Sequence, residues 1–499
     1  MPASSSRVGH PVSDKRWLPV KPDTPHGTWI ATDVPGRLDA LGWSRWHRRV
    51  IVALGITWIL DGLEASLVAN LAPTLEHRDA LGLSGAEVGF ANTSYLVGQV
   101  IGALVFGHLT DRLGRKRLFL VTLALYLVAT ALSGFAPSYG VFLVFRLFAG
   151  AGIGGEYAAI NSAIDELVPA RIRGQIDLAI NGSYWVGVAL GAVVTLIVLD
   201  PDLVPIAIGW RLAFGLGALL GLAILLVQHD VPESPRWLLM HGHVQAAIAT
   251  VERIEADVRG PAGSVHVEAT SVTIVKLRVV GPVGVRHLMH TLFVRYPRRT
   301  ILGLTLMLAQ AFLYNSIFFS YGLILKKFHG VPAERVGLYI IPFAAGNFLG
   351  PLLLGPLFDR VGRRIMIPAT YALAGVLLLV TGGLFVAGQL DAVTQVLAWS
   401  VVFFVASAAA SSAYLTVSEL FPVELRGMAI AVFYAFGTLV GAGAPSLFGT
   451  IIDTGEPLQL FAGYALSSTL MIGAAIVARV FGVDAERRSL ESITAEDPP

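Results

Sequence analysis

Two acids, Asp61 and Glu64, stand in the middle of an otherwise apolar run, and one arginine, Arg146, stands inside another. A charge at the centre of a membrane-spanning helix costs roughly 2.5–3.5 kcal/mol on insertion scales, so such residues tend to mark ion or substrate pathways. Spacing i, i+3 places Asp61 and Glu64 on one helix face. Acids on a cavity face can take up and release protons; the bland reading is a buried structural ion pair. Arg146 cannot shed its charge and needs an acid, water or an anionic substrate beside it. Glu156 is a third intramembrane acid, lining the path or pairing within the bundle. Gln310, Asn315 and Asn347 are amides in apolar segments. Amides donate and accept at once, which suits hydroxyls or a carboxylate. They can equally serve as hydrogen-bonding glue between helices.

Gly150-Ala-Gly152-Ile-Gly154-Gly155 superficially suggests a phosphate-binding loop, but it follows no strand and lies in an apolar run. Gly150 and Gly154, at i, i+4, instead suit close helix packing.

The elements that hold these residues are written twice. Gly107-His-Leu-Thr-Asp111-Arg112-Leu-Gly114-Arg115-Lys116 returns as Gly355-Pro-Leu-Phe-Asp359-Arg360-Val-Gly362-Arg363-Arg364. Glu166-Leu-Val-Pro169-Ala-Arg-Ile-Arg173-Gly174 returns as Glu419-Leu-Phe-Pro422-Val-Glu-Leu-Arg426-Gly427, again about 250 residues on. Hydrophobic residues make up 55% of the chain and charged ones 14%, against roughly 25% charge in soluble proteins. Most of the chain therefore lies in lipid, and a duplicated membrane bundle with its site between the halves is a transporter architecture. The chain has no cysteine, which excludes disulfides, thiol catalysis and Cys-ligated metals. No cofactor or metal is expected.

Twelve apolar segments are long enough to span: 50–71, 88–109, 118–136, 140–167, 176–199, 208–228, 300–325, 336–357, 365–388, 395–417, 428–451 and 459–481. Runs this long without period-two alternation exclude a barrel. The expected fold is an all-α membrane protein of twelve transmembrane helices in two six-helix pseudo-symmetric halves, 50–228 and 300–481. A polar tail, 1–49, precedes them, a linker, 229–299, joins them, and a tail, 482–499, follows. Lys and Arg crowd one side; the other keeps only Arg78, Arg211, Lys326, Lys327 and Arg335. The positive-inside rule then puts both termini in the cytoplasm. Short outer loops lean towards a bacterial cytoplasmic membrane. In the linker, 243–258 suits a short amphipathic helix, and 260–285 reads as loop or a short ribbon. The duplicated loops place Asp111, Arg112, Arg115, Asp359, Arg360 and Arg363 on the inner face with Glu166, Arg173, Glu419 and Arg426. These suit an inner-gate salt-bridge network, or simply anchoring.

The twelve spans and both Gly-x-Leu-x-Asp-Arg-x-Gly-Arg-Lys/Arg loops resemble the major facilitator superfamily. Arg146-x3-Gly150-x-Gly152, the two Glu-x2-Pro-x3-Arg-Gly strings and Pro232-Glu233-Ser234-Pro235-Arg236-Trp237-Leu238 resemble its sugar-porter branch and related metabolite and organic-ion symporters. Asp61-Gly-Leu-Glu64 is more similar to carboxylate and nicotinate-type symporters. The resemblance implies that Asp61 takes the proton-coupling position and pairs with Arg146. It implies a substrate site at Gln310, Asn315 and Asn347, with Asn181 where a Gln is usual and Tyr414 where Trp is common. Gly441 replaces a helix-11 Asn and Gly217 a helix-6 Glu, so sugar and small organic acid both stay open. Tyr314, Tyr321 and Tyr414 can supply aromatic walls for a ring-shaped solute.

No ATP-binding loop is present, so energy must come from a gradient. The function implied is secondary active transport of a small polar metabolite by alternating access, proton-coupled. An organic-anion symporter, a uniporter, an exporter or a membrane sensor are the alternatives; an enzyme is not expected. The expected partners are a small-molecule substrate, protons and the bilayer, with no nucleic acid, and the chain is expected to be a monomer.

Overall fold

A computed structural model describes residues 29–39, 41, 44–167, 173–227, 232–259, 275–278, 285–421 and 423–482. The first half comprises α1 (Arg45–Leu75), α2 (Gly85–Leu113), α3 (Arg115–Ser133), α4 (Tyr139–Leu167), α5 (Arg173–Val198) and α6 (Ile206–Val227). The second comprises α7 (Pro297–Phe318), α8 (Tyr321–His329), α9 (Val336–Arg360), α10 (Arg363–Val386), α11 (Ala392–Leu420), α12 (Val423–Gly441), α13 (Gly443–Thr454) and α14 (Pro457–Phe481). Among the described residues nine helices are long and apolar enough to cross a membrane, and Gly182–Val198 and Ile206–Leu222 are shorter apolar stretches. Lipid offers the backbone no partners, so every span closes its own hydrogen bonds as a helix.

Two expected spans are each broken in two. The seventh becomes α7 and α8, parting at Phe319 and Ser320. There the Ser320 hydroxyl donates to the Ser316 carbonyl, and Ser316 donates to Leu313 O at 2.8 Å; such back-bonding competes with the helix and bends it. The eleventh becomes α12 and α13, parting at Ala442 between Gly441 and Gly443. Pro445 lacks the N–H that would bond back to residue 441.

The helices of the first half approach at backbone distance. A methyl built on Gly102 would lie 1.9 Å from Ala151 O, on Gly150 1.9 Å from Tyr95 O, and on Gly154 2.0 Å from Gln99 O. The glycine run on α4 is thus a seam against α2, because small residues let helix backbones touch in lipid. Gly102→Val should cost about 3 kcal/mol or more, since a backbone atom cannot yield as a side chain does. Size-exclusion profiles should show little folded protein.

Outside the spans, strand β1 (Trp29–Thr32) pairs antiparallel with β2 (Val275–Arg278), Trp29 opposite Arg278. This ribbon joins the tail before α1 to the linker. Helix Val34–Asp39 buries Val34 and Leu38, and linker helix Val244–Arg259 buries Ala247, Val251 and Ile254 in the same cluster. Arg37 Nε donates to Glu255 Oε1 at 2.7 Å across that contact. The segment 260–274 lies outside the described residues.

The two duplicated loops lie on one face of the bundle, the motif face below. The turns after α1, α3, α5, α10 and α13 lie on the opposite face.

Candidate functional site

Arg146 Nη1 donates to Glu64 Oε1 at 2.9 Å, with the side chains 0% and 3% exposed. Thr130 on α3 donates to the same oxygen at 3.0 Å. The guanidinium lies 4.3 Å from the Tyr95 ring centroid and 5.9 Å from that of Phe214. Removing two charges from water costs several kcal/mol per ion, so this pair persists through good geometry, the Thr130 hydrogen bond and the aromatic faces.

The pairing differs from the one implied by the resemblance, in which Asp61 holds Arg146. Glu64 is one turn nearer the opposite face than Asp61, level with Arg146, and its longer side chain reaches the guanidinium. Asp61 is buried at 4% exposure, and its Oδ1 has no hydrogen-bond partner among the described residues. Arg146 Nε and Nη2 are likewise unpartnered, so its planar fork has room for a second carboxylate. Glu156 is fully buried, with neither carboxyl oxygen bonded among the described residues.

In the second half, Tyr314 Oη donates to Asn347 Oδ1 at 2.8 Å, and Asn347 Nδ2 donates to Phe343 O at 3.0 Å. Both ends of that amide are therefore engaged. Ser407 on α11 ties Asn347 O at 2.7 Å. Gln310 is buried, with Met307 Sδ at 4.0 Å from Nε2. Asn315 is half-buried and lies over Gly441, whose missing side chain leaves it room: a methyl there would be 2.9 Å from Asn315 Nδ2. Tyr414 is half-buried nearby on α11. The side chain of Asn181 lies outside the described residues.

Sequence reasoning missed the centre of this wall. Trp185 on α5 reaches from the first half into the second, with ring centroids 6.3 Å from Tyr314, 6.0 Å from Phe318 and 5.9 Å from Phe343. Phe403 on α11 completes the box at 4.8 Å from Tyr314 and 4.2 Å from Phe343. A signal existed: Trp concentrates at membrane interfaces, yet Trp185 sits mid-span. Tyr321, expected as a wall, is instead buried in a contact between halves, its hydroxyl bonded to Asn70 Oδ1.

That contact belongs to a closure of the opposite face. Lys326 Nζ donates to Glu76 Oε2 at 2.6 Å and Pro73 O at 2.9 Å. Thr93 Oγ1 donates to Ala442 O, at the α12–α13 break, at 2.6 Å and lies 2.8 Å from Ser446 Oγ. Asp453, at the end of α13, accepts from Gly85 N and Ala86 N at 2.8 Å each. A carboxylate from one half therefore caps a helix of the other. Losing a cap costs about 1 kcal/mol, so Asp453→Ala should raise the open fraction of this face roughly five-fold. A cysteine placed at Ser446 of this cysteine-free chain should label correspondingly faster; an unchanged rate would mean that Asp453 does not hold the face shut.

On the motif face, Arg360 is exposed and Arg363 half-buried. The side chains of Asp111, Arg112, Arg115, Glu166, Arg173, Asp359, Glu419 and Arg426 lie outside the described residues. The linker does reach this face: Glu233 Oε2 accepts from Lys116 N at 3.2 Å, at the start of α3. An acid at a helix N-terminus satisfies a free N–H and favours the dipole. Gly114, at φ 90°, turns the chain there.

Known proteins share both the sequence pattern and the architecture. The family model described as sugar (and other) transporter matches residues 65–496. The niacin transporter NiaP of Acinetobacter baylyi is 25% identical over 466 residues, covering 92% of this chain and 99% of that one. Myo-inositol transporter 2 of Schizosaccharomyces pombe is 26% identical over 447 residues, covering 84% and 77%. The structure of the xylose transporter XylE from E. coli, partially occluded and inward open, superposes with a TM-score of 0.69 at 18% identity, covering 89% of this chain and all of that one. The fold is that of the major facilitator transporters, and the protein, a transporter rather than an enzyme, belongs to the sugar (and other) transporter family.

Proposed function

We propose that this protein is a proton-coupled symporter of a small, ring-shaped organic acid or amide, working by alternating access in the cytoplasmic membrane. The observation that carries this is the division of labour between the halves. Among the described residues the first half buries three acids and one arginine in its spans, and the second presents an aromatic box with few unspent polar groups.

The polar inventory supports one substrate class over the other. A sugar carries a hydroxyl on nearly every carbon, and each buried hydroxyl left unpaired costs about 1–3 kcal/mol. Asn347 is already engaged by Tyr314 and Phe343, and position 441 is Gly where the sugar site has an Asn. Gln310 and Asn315 remain, enough for one carboxylate or carboxamide edge. Trp185, Tyr314, Phe318 and Phe343 suit the faces of a flat ring. Transporters of niacin and of myo-inositol are both relatives, and this inventory favours the first kind.

In the cycle, substrate and proton enter from the outside. Asp61 gives up its proton towards the cytoplasm, and its carboxylate turns to the unspent Nε and Nη2 of Arg146. That changes the local charge pattern, and with it the relative stability of the two states. The motif face is cytoplasmic, as are both termini, and Asp111, Arg112, Arg115, Glu166, Arg173, Asp359, Arg360, Arg363, Glu419 and Arg426 form its gate. The transporter acts as a monomer.

A ligand-stabilisation screen on the purified protein tests the substrate class. Nicotinate or benzoate should raise the melting temperature in a saturable way, while xylose and myo-inositol should not. Stabilisation by the polyols alone would reverse the assignment.

A further inference from the structure

Glu156 has no part in the cycle above, yet burying an ionised carboxylate without a partner is too costly to be neutral. Arg146 cannot compensate for it. The two are ten residues apart on α4, about 15 Å along a helix, and Arg146 is turned to Glu64.

The packing orders these groups by depth. A methyl on Gly217 would lie 3.7 Å from Glu64 Oε2, and a methyl on Gly221 3.2 Å from Tyr126 Oη. Those glycines are one turn apart on α6, so the Tyr126 hydroxyl lies about 6 Å closer to the motif face than Glu64. On α3 the same order appears: Thr130 bonds Glu64, and Tyr126 is one turn before it. On α1, Asp61 lies about 4.5 Å to the same side of Glu64. On α4, a methyl on Gly152 would lie 2.5 Å from Tyr126 Cβ, and one on Gly155 2.7 Å from Thr122 Cγ2. The backbone leading into Glu156 is therefore pressed against the Thr122–Tyr126 turn. Glu156, Asp61 and Glu64 all lie within electrostatic reach of the Tyr126 hydroxyl. Tyr95 from α2, Tyr184 from α5 and Tyr434 from α12 also lie within electrostatic reach of Asp61, and the Arg146 guanidinium packs on the Tyr95 ring.

We propose that Glu156 is a second proton-carrying acid, at the motif-face end of a relay that runs from the Glu64–Arg146 pair through Asp61 and Tyr126. This rests on the proton-coupled reading above. With the opposite face closed, Glu64 carries the charge that matches Arg146, and Asp61 and Glu156 each hold a proton. Glu156 releases its proton to the motif face. Neither Glu156 oxygen is hydrogen-bonded to Tyr126 in this state, so the transfer requires the Tyr126 hydroxyl to swing between the two acids. It then gives its proton to the Glu156 carboxylate and takes the carboxyl proton of Asp61. The net change is one proton moved from Asp61 to Glu156, leaving Asp61 as the carboxylate that Arg146 receives.

Infrared spectroscopy of the protein in lipid vesicles, with no substrate added, tests this through the C=O stretch of protonated carboxyls. The parent should show two buried bands, one shifted by carbon-13 labelling of Glu and the other by labelling of Asp. Glu156→Gln should remove the first and Asp61→Asn the second; Glu156→Asp should restore a band. Tyr126→Phe should keep both bands but slow the deuterium exchange of the Asp61 band ten-fold or more. The labelled parent needs no variant to fold, and absence of the Glu-derived band there would overturn the proposal. An unchanged spectrum in folded Glu156→Gln would overturn it too, and unchanged exchange in Tyr126→Phe would remove Tyr126 from the relay. If the bands behave as stated while a pH gradient drives no nicotinate uptake, the symport reading fails and the proton site stands.

Discussion

Arg146→Leu should abolish accumulation driven by a pH gradient and destabilise the protein by about 3–5 kcal/mol. The substitution leaves Glu64, 3% exposed, as a buried acid without its counter-charge, and breaking such a pair from one side is far costlier than removing it whole. The double variant Glu64→Leu/Arg146→Leu should therefore recover most of the stability and none of the coupling. Asp61→Asn should behave differently. Asp61 has no ion partner among the described residues, so its loss should leave the melting temperature near the parent value while removing proton-driven accumulation; exchange of substrate across the membrane should continue. Melting curves of the parent, Arg146→Leu, Glu64→Leu and the double variant, read as a double-mutant cycle, with Asp61→Asn and uptake into proteoliposomes alongside, separate the roles. If Asp61→Asn were as unstable as Arg146→Leu, Asp61 rather than Glu64 would be the partner of Arg146.

Trp185→Ala should weaken binding of a planar acid such as nicotinate ten-fold or more. Stacking a ring on an aromatic side chain is worth about 1–3 kcal/mol by alanine substitution, and Trp185 is the aromatic that reaches from the first half to Tyr314, Phe318 and Phe343. Trp185→Phe should keep most of the affinity, because a flat face remains. Gln310→Ala should cost a comparable factor through a lost hydrogen bond. Asn347→Ala should act less directly: its amide engages Tyr314 and Phe343, so its removal frees the Tyr314 ring rather than a substrate atom. Calorimetric titration of the four variants checks the order. Equal affinity in Trp185→Ala and the parent would make the box packing rather than a binding surface.

How far the sequence reaches is visible in particular residues. The spans were legible because lipid demands about twenty apolar residues in succession, and a duplicated Asp-Arg-x-Gly-Arg loop survives as a string. Asp61, Glu64, Arg146 and Glu156 stood out because charge is costly in lipid. Which acid meets Arg146 was not legible: Asp61 and Glu64 share one helix face, and only the depth at which α4 packs on α1 selects Glu64. Tyr321 likewise read as a wall until the break at Ser320 turned it onto Asn70.

The sequence by itself determined that this is a membrane transporter of duplicated helical halves, and which residues carry its costly charges and amides. Those are properties of single segments, settled by transfer of each side chain into lipid. Tertiary structure alone decided the Glu64–Arg146 pair, the Trp185 box, the β1–β2 ribbon and the cap that Asp453 places on α2. Each of these joins groups far apart in the chain. Their energies depend on distances of a few ångströms that helix packing sets, and that no local pattern encodes.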